Sequence, residues 1–313
     1  MGHRPILAML EKYINPFTDF GFKKIFGEEA NKDLLMDFLN ELVPDRGQIT
    51  DLTFLKNEHL GVSPVDRKAV FDLYCQTDTG ERFIVEIQKA RQKYFKDRSI
   101  YYATFPIQEQ AQTGDWDFRQ TGVYTVAVMD FIFDEAPADK DKLRHDIQLM
   151  DIETHRIFFP KLRFIYLEMP KFNKSADELE TRYDKWLYVL KNLSRLERVP
   201  ERLQERIFTK LFQVAELAQF NETDRWAYQD SLKHYRDLKN VTDTATEEGY
   251  LEGKAEGKAE GLTEGKAEGL AEGEARAKHE TALTAIRKGL DNTLISTLTG
   301  LSEAVIDQLR AGS

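Results

Sequence analysis

Apolar residues change their spacing several times along the chain, and each change marks an element. Phe20, Phe22, Ile25 and Phe26 predict a short helix over 20–26, with its aromatic side chains in the core. From Lys68 to Ala90 the pattern alternates, broken by Thr77, Asp78, Thr79, Gly80 and Glu81, residue types that close hairpins. Val123 to Phe133 is almost wholly apolar and reads as a buried strand. Residues 146–169 alternate again, with β-branched and aromatic positions that predict two more strands. Helical spacing returns from Ser175 to Asn240, where Trp186, Leu187, Leu190 and Leu193, then Ile207, Leu211, Val214 and Leu217, form apolar stripes.

A different pattern begins near Thr244. Glu-Gly recurs every four residues at Gly249, Gly253, Gly257, Gly261, Gly265, Gly269 and Gly273, which takes seven of the eighteen glycines. Each glycine costs a helix roughly 0.5–1 kcal/mol relative to alanine, so this stretch is a marginal helix alone. It reads either as an acidic spacer or as a Gly/Ala face for self-association into a homo-oligomer. After it, Thr281 to Lys288 is helical up to Gly289. Asp291 caps a second short helix that Gly300 ends, and Ser302 opens a third. This helix-turn-helix-like tail carries a single cation in its last helix, Arg310, which favours packing over DNA binding. The expected division is a folded region 1–240, a repeat arm 241–278 and a tail 279–313.

No run is long and apolar enough for a membrane span, and the first residues lack a secretory signal pattern. A lone cysteine, Cys75, permits no internal disulfide, and a cytoplasmic location is expected. The net charge of −10 argues against coating nucleic acid by bulk electrostatics. Locally the balance reverses, with six cations (Arg82, Lys89, Arg91, Lys93, Lys96, Arg98) against two anions between Arg82 and Phe105. The six histidines are scattered, and phosphate-loop, nucleophile-elbow and His-Glu-x-x-His motifs are absent, which leaves carboxylate chemistry.

Centring the hairpin on Thr79 sets Asp72 opposite Glu86. Alternation then puts Asp72, Tyr74, Glu86 and Gln88 on one face, with Phe71, Leu73, Cys75, Phe83, Val85 and Ile87 on the core side. Val70 and Ile84 on the polar face imply that this face is partly covered. Two opposed carboxylates repel. They either decorate a solvated surface or grip a divalent ion, since Mg²⁺ takes one or two carboxylates together with water and phosphate oxygens.

Here the chain resembles a known group. Asp72, with Glu86-Ile-Gln88 fourteen residues on, resembles the metal-binding core of the PD-(D/E)xK nuclease superfamily. The opening Pro16-Phe-Thr-Asp-Phe-Gly-Phe-Lys-Lys-Ile-Phe-Gly27, the stretch Arg98-Ser-Ile-Tyr-Tyr-Ala103 and the strand from Tyr124 to Met129 resemble the Rpn-type recombination-promoting nucleases within it. The resemblance spans about residues 14–240. It implies an α/β restriction-endonuclease-like mixed sheet flanked by helices, with a C-terminal helical extension. It also implies a DNA endonuclease dependent on Mg²⁺, with Mn²⁺ as the alternative ion, linked to recombination or a mobile element.

By position, Asp72 and Glu86 become metal ligands and Gln88 takes the place where the strict motif has lysine. Gln88 can hydrogen-bond an attacking water but brings no charge. Lys68 has the parity to substitute for that lysine, whereas Lys89 is expected on the opposite face. Asp19 is either a further acid at the site or, with Thr18, the cap of the first helix. Lys89, Arg91, Lys93, Lys96 and Arg98, helical from about Arg91, would bind DNA phosphates. The uncharged Gln88 and the acidic total also admit an alternative, a catalytically weak DNA-binding or interaction protein on a nuclease scaffold.

Overall fold

The computed structural model describes residues 11–59, 69–111, 117–132 and 140–312. The chain divides into two compact units, Met1–Thr242 and Asp243–Ser313. No helix among the described residues is long and apolar enough to cross a membrane.

In the first unit, helix α1 (Asp19–Phe26) starts where the opening motif requires. Buried Thr18 accepts the Gly21 N–H at 3.0 Å and donates to the Asn15 carbonyl at 2.7 Å. A Cβ on Gly21 would lie 2.2 Å from that same carbonyl, so only glycine fits the turn. Thr18 is therefore the cap, and Asp19 is the acid of the first turn. α2 (Lys32–Leu42) follows, packed through Leu34, Leu35, Phe38 and Leu39.

Among the described residues, eight strands come next. They are β1 (Leu52–Phe54), β2 (Glu58–His59), β3 (Ala69–Val70), β4 (Leu73–Thr77), β5 (Arg82–Gln88), β6 (Val123–Met129), β7 (Arg144–Met150) and β8 (Ile157–Glu168). β2 and β3 form a two-stranded ribbon, and the rest make a mixed sheet in the order β1-β4-β5-β6-β8-β7. β5, β6 and β8 are mutually parallel, and β4 and β7 are antiparallel to their neighbours. α3 (Phe95–Gln108) connects β5 to β6.

One face of the sheet, with Leu73, Cys75, Phe83, Val85 and Ile87, packs on α1, α2, α4 (Arg182–Asn192) and α5 (Arg206–Ala215) around buried Trp186. The other face lies under α3, where Phe95 and Ala103 meet Val123, Ala127 and Tyr166. Beside them Tyr74 and Ile84 pack with Tyr102 and Phe105. The face that carries Tyr74 and Ile84 is thus partly covered, as expected: Ile84 is buried under α3 while Val70 is exposed.

Leu73 pairs with Val85, Tyr74 with Ile84 and Cys75 with Phe83, the register set by a turn centred on Thr79. One expected core residue moves. Phe71 packs with Tyr74 and Ile84 under α3, on the opposite side from Leu73. The cause is local: β4 begins only at Leu73, and the Phe71 N–H goes to the Asn57 carbonyl at 2.8 Å, away from β5. Alternation therefore ends at Leu73.

The long helix α6 (Glu222–Arg287) contains every Glu-Gly tetrad, and residues 243–281 along it are exposed. In the second unit, Ala282 and Ala285 pack with Ile295 of α7 (Asn292–Thr299) and Ile306 of α8 (Glu303–Ala311). Asp291 accepts the Leu294 N–H at 2.9 Å, and Gly300 ends α7 in the left-handed conformation.

Candidate active site

The open end of the β4–β5 hairpin carries Asp72, Glu86 and Gln88, and a cleft of about 230 Å³ forms there. Its walls bring together Asp19 from the first turn of α1, Asp72 just before β4, Glu86 and Gln88 at the end of β5, and Lys89 beyond it. Arg98 and Tyr102 reach it from α3, and Leu238 from α6. A larger, mainly apolar groove of about 870 Å³, between Leu217 and the Tyr228–Asn240 stretch of α6, contains none of these residues.

Asp72 is held by the backbone. Its Oδ2 accepts the Ile87 N–H at 2.8 Å, a donor that a regular ladder would give to a main-chain carbonyl. The side chain of Asn57 donates to the Asp72 carbonyl at 3.0 Å. The chain breaks its strand at this point and spends a ladder bond to aim one carboxylate.

Glu86 is buried. Its Oε2 accepts the Gln88 amide N–H at 2.9 Å, while Oε1 has no hydrogen-bond partner among the described residues. The other end of the Gln88 amide accepts from Arg98 at 2.6 Å, and the Arg98 guanidinium lies 3.9 Å from Glu86. This fixes the amide orientation, because a guanidinium only donates and a carboxylate only accepts.

Burial, with the Asp72 charge beside it, pushes the Glu86 carboxyl up to about 8; Arg98 opposes this. Asp72 is also raised, first by burial, then by Asp19, while the Ile87 hydrogen bond, Lys23 and Lys89 pull it down. Asp19 thus faces the site electrostatically while pairing with Lys23 at 3.0 Å. No group of three or more His, Cys, Asp or Glu among the described residues is placed to hold a metal ion, and Asp19 stands at the cleft beside Asp72 and Glu86. Asp72 and Glu86 nevertheless suit a hard cation. They offer carboxylate oxygens in one cleft, and a buried oxygen with no partner is costly until something positive meets it.

Two expectations for the basic run change. α3 begins at Phe95 rather than near Arg91, because buried Phe95 is the first side chain to anchor, packing edge-on to Tyr166 at 5.6 Å. Lys89 lies at the cleft and not on the opposite face, because β5 ends at Gln88 and alternation stops with it. Lys89 and Arg98 line the cleft. Arg91 and Lys93 on the approach to α3, and Lys96 in its first turn, are exposed and do not line it. Lys68 lies outside the described residues.

Sequence reasoning missed Gln92, Tyr102 and Leu238 as cleft residues. The spacing of Tyr102 on α3 held some signal. Leu238 held none, since it arrives from a distant helix anchored by the Tyr235 hydroxyl, which donates to Asp130 at 2.6 Å.

With this geometry in place, comparison with protein families is decisive. The family described as PD-(D/E)XK nuclease family transposase matches residues 16–245. The chain belongs to this family. No curated protein and no solved structure matches it. Membership in the PD-(D/E)XK nuclease family makes the six-stranded mixed sheet with flanking helices a restriction-endonuclease-like fold and supports a nuclease-like function, and such nucleases typically use divalent metals.

Proposed function

We propose that the protein is a Mg²⁺-dependent DNA endonuclease, with Mn²⁺ as an alternative ion, that nicks or cleaves phosphodiester bonds during recombination or the movement of a mobile element in the cytoplasm. The observation carrying this reading is the presence of Asp72 and Glu86 in one cleft, with a buried Glu86 oxygen that has no hydrogen-bond partner among the described residues.

Asp72 and Glu86 would hold the ion. Such an ion, when bound, lowers the pKa of a water and offsets charge on the phosphate. The chain's own groups do the rest. The Ile87 N–H keeps Asp72 aimed, and Gln88 keeps Glu86 in place while retaining one amide N–H to orient the water. Lys89 meets the phosphate at the cleft, and Arg91, Lys93 and Lys96 draw the flanking backbone in without reading sequence. Asp19 adds negative charge at the rim and strengthens attraction for the ion. Within the division 1–240, 241–278 and 279–313, the tetrad arm would join copies of the chain. Deleting Glu247 to Ala275 and measuring mass in solution tests that role.

The uncharged Gln88, with bonds already made at both ends, favours one second reading: a catalytically weak DNA-binding or interaction protein on the nuclease scaffold. Incubating supercoiled plasmid with Mg²⁺ and wild type or Asp72→Ala separates the two. Nicking by wild type alone supports the nuclease, and equal nicking by both, or none by either, defeats it.

A further inference from the structure

Arg98 belongs to the basic run, yet its surroundings differ from those of a cation waiting for phosphate. Its guanidinium donates to the side-chain carbonyls of both Gln88 and Gln92. The rings of Phe95 and Tyr102 lie 5.6 Å from it. Two carbonyls and two aromatic rings therefore fix a side chain that otherwise has many rotamers. One arm ends on Gln88, and Gln88 ends on Glu86 Oε2. The chain of donors runs from α3, through β5, to the carboxylate whose other oxygen stands without a partner.

We infer that Arg98 is the positioning residue of this site: through Gln88 it fixes the Glu86 carboxylate so that Oε1 is presented to a divalent cation. The inference rests on the nuclease reading above and assigns Arg98 a role other than holding DNA. Glutamine alone cannot do this work, because an unrestrained amide can rotate and turn its acceptor end toward the carboxylate. Arg98 blocks that rotation, since reversing the amide would set guanidinium donors against amide donors. Groups that orient a ligand from behind typically change metal affinity or activity by about 10–100-fold when removed.

Removing the charge altogether would confuse the test, because loss of a cation beside the site also relieves repulsion on the ion. Arg98→Lys keeps the charge and loses the two-armed planar geometry. The first measurement is Mn²⁺ affinity of the full-length protein by calorimetry without DNA. Arg98→Lys is expected to lose about 10-fold or more. In a Gln88→Met background, already uncoupled, the same substitution should change affinity less than about 2-fold, since residues acting as one unit are non-additive. With plasmid and Mg²⁺, Arg98→Lys should lower kcat with little change in KM, as expected for a residue that aims a catalytic group.

Unchanged Mn²⁺ affinity and a raised KM, with wild type still nicking, would overturn the positioning role and leave a plain phosphate contact. A wild type that neither binds Mn²⁺ nor nicks would overturn the nuclease reading and this inference with it. Should Arg98→Lys not fold, Gln92→Leu frees the other arm and should lower affinity in the same direction by less; no change there would count against the inference.

Discussion

The two ends of one hairpin treat a glutamate in opposite ways. At the closed end, Glu81 accepts from the Thr79 hydroxyl at 2.6 Å and the Thr77 hydroxyl at 3.2 Å, and it pairs with Arg46. Arg46 in turn lies 4.3 Å from the Tyr124 ring centroid. At the open end, Glu86 is more deeply buried, holds one amide N–H on Oε2 and has an oxygen with no partner among the described residues. The closed end is arranged to stabilise the turn that sets register. The open end keeps two carboxyl groups buried beside one another, each raised by that burial, an arrangement folding alone would select against. The difference separates what the hairpin needs in order to fold from what it holds for chemistry.

The sharpest way to break this contrast is to neutralise each glutamate in turn. Glu86→Gln should reduce Mg²⁺-dependent plasmid nicking by about 10³-fold, the loss expected when several kcal/mol of transition-state stabilisation disappear. Glu81→Gln should leave nicking within about 2-fold. A fully active Glu86→Gln would mean that the open end is not the reacting centre.

Stability should respond in the opposite sense. Glu86 titrates near 4.5 when unfolded and is raised to about 8 by burial in the folded state. Between those values the folded chain binds more protons, so stability falls as pH rises across the window. The loss should be on the order of 2–4 kcal/mol, read by denaturant unfolding in EDTA at pH 5 and pH 8.5. Glu86→Gln should flatten that slope and be the more stable protein at pH 8.5. An equally steep slope in the variant would place the titration elsewhere. At the closed end, Glu81→Ala should cost about 1–2 kcal/mol at neutral pH and leave Mn²⁺ affinity unchanged.

How far the sequence could be read also differs between the two ends. Thr77 to Glu81 are turn residues, so the register of β4 on β5, from Leu73 opposite Val85 to Gln76 opposite Arg82, was legible from local chemistry. Strands β4 to β8 and the first helix were legible for similar reasons, since each carries its own periodicity and Thr18 its own cap, whereas the three-residue edge strand β1 was too short to show one. Reading failed where regular structure stops. Phe71 changed sides because β4 begins only at Leu73 and the Phe71 N–H turns to the Asn57 carbonyl, and Lys89 turned into the cleft because β5 had already ended. No spacing rule reports either event. The bond from Arg98 to Gln88 depends on the angle at which α3 crosses the sheet, a property of packing that is invisible to spacing. Leu238 arrives from 150 residues beyond Gln88.

The smallest effect compares the hairpin with the tetrads, using one substitution at two glycines. Gly80 sits in the turn at φ +86°, and a Cβ there would meet Thr121 at an ordinary 3.4 Å. Space is available, but the left-handed backbone disfavours alanine, so Gly80→Ala should cost about 1 kcal/mol. Gly257 lies within α6 with nothing inside 4 Å of an added Cβ. Gly257→Ala should therefore raise helix stability by about 0.5–1 kcal/mol, measured by hydrogen exchange over residues 249–273. A loss at Gly257 in place of that gain would mean that in solution the added methyl meets another chain. The glycines of the tetrad would then be explained by close approach between helices, and the same variant should shift the protein toward lower mass in sedimentation.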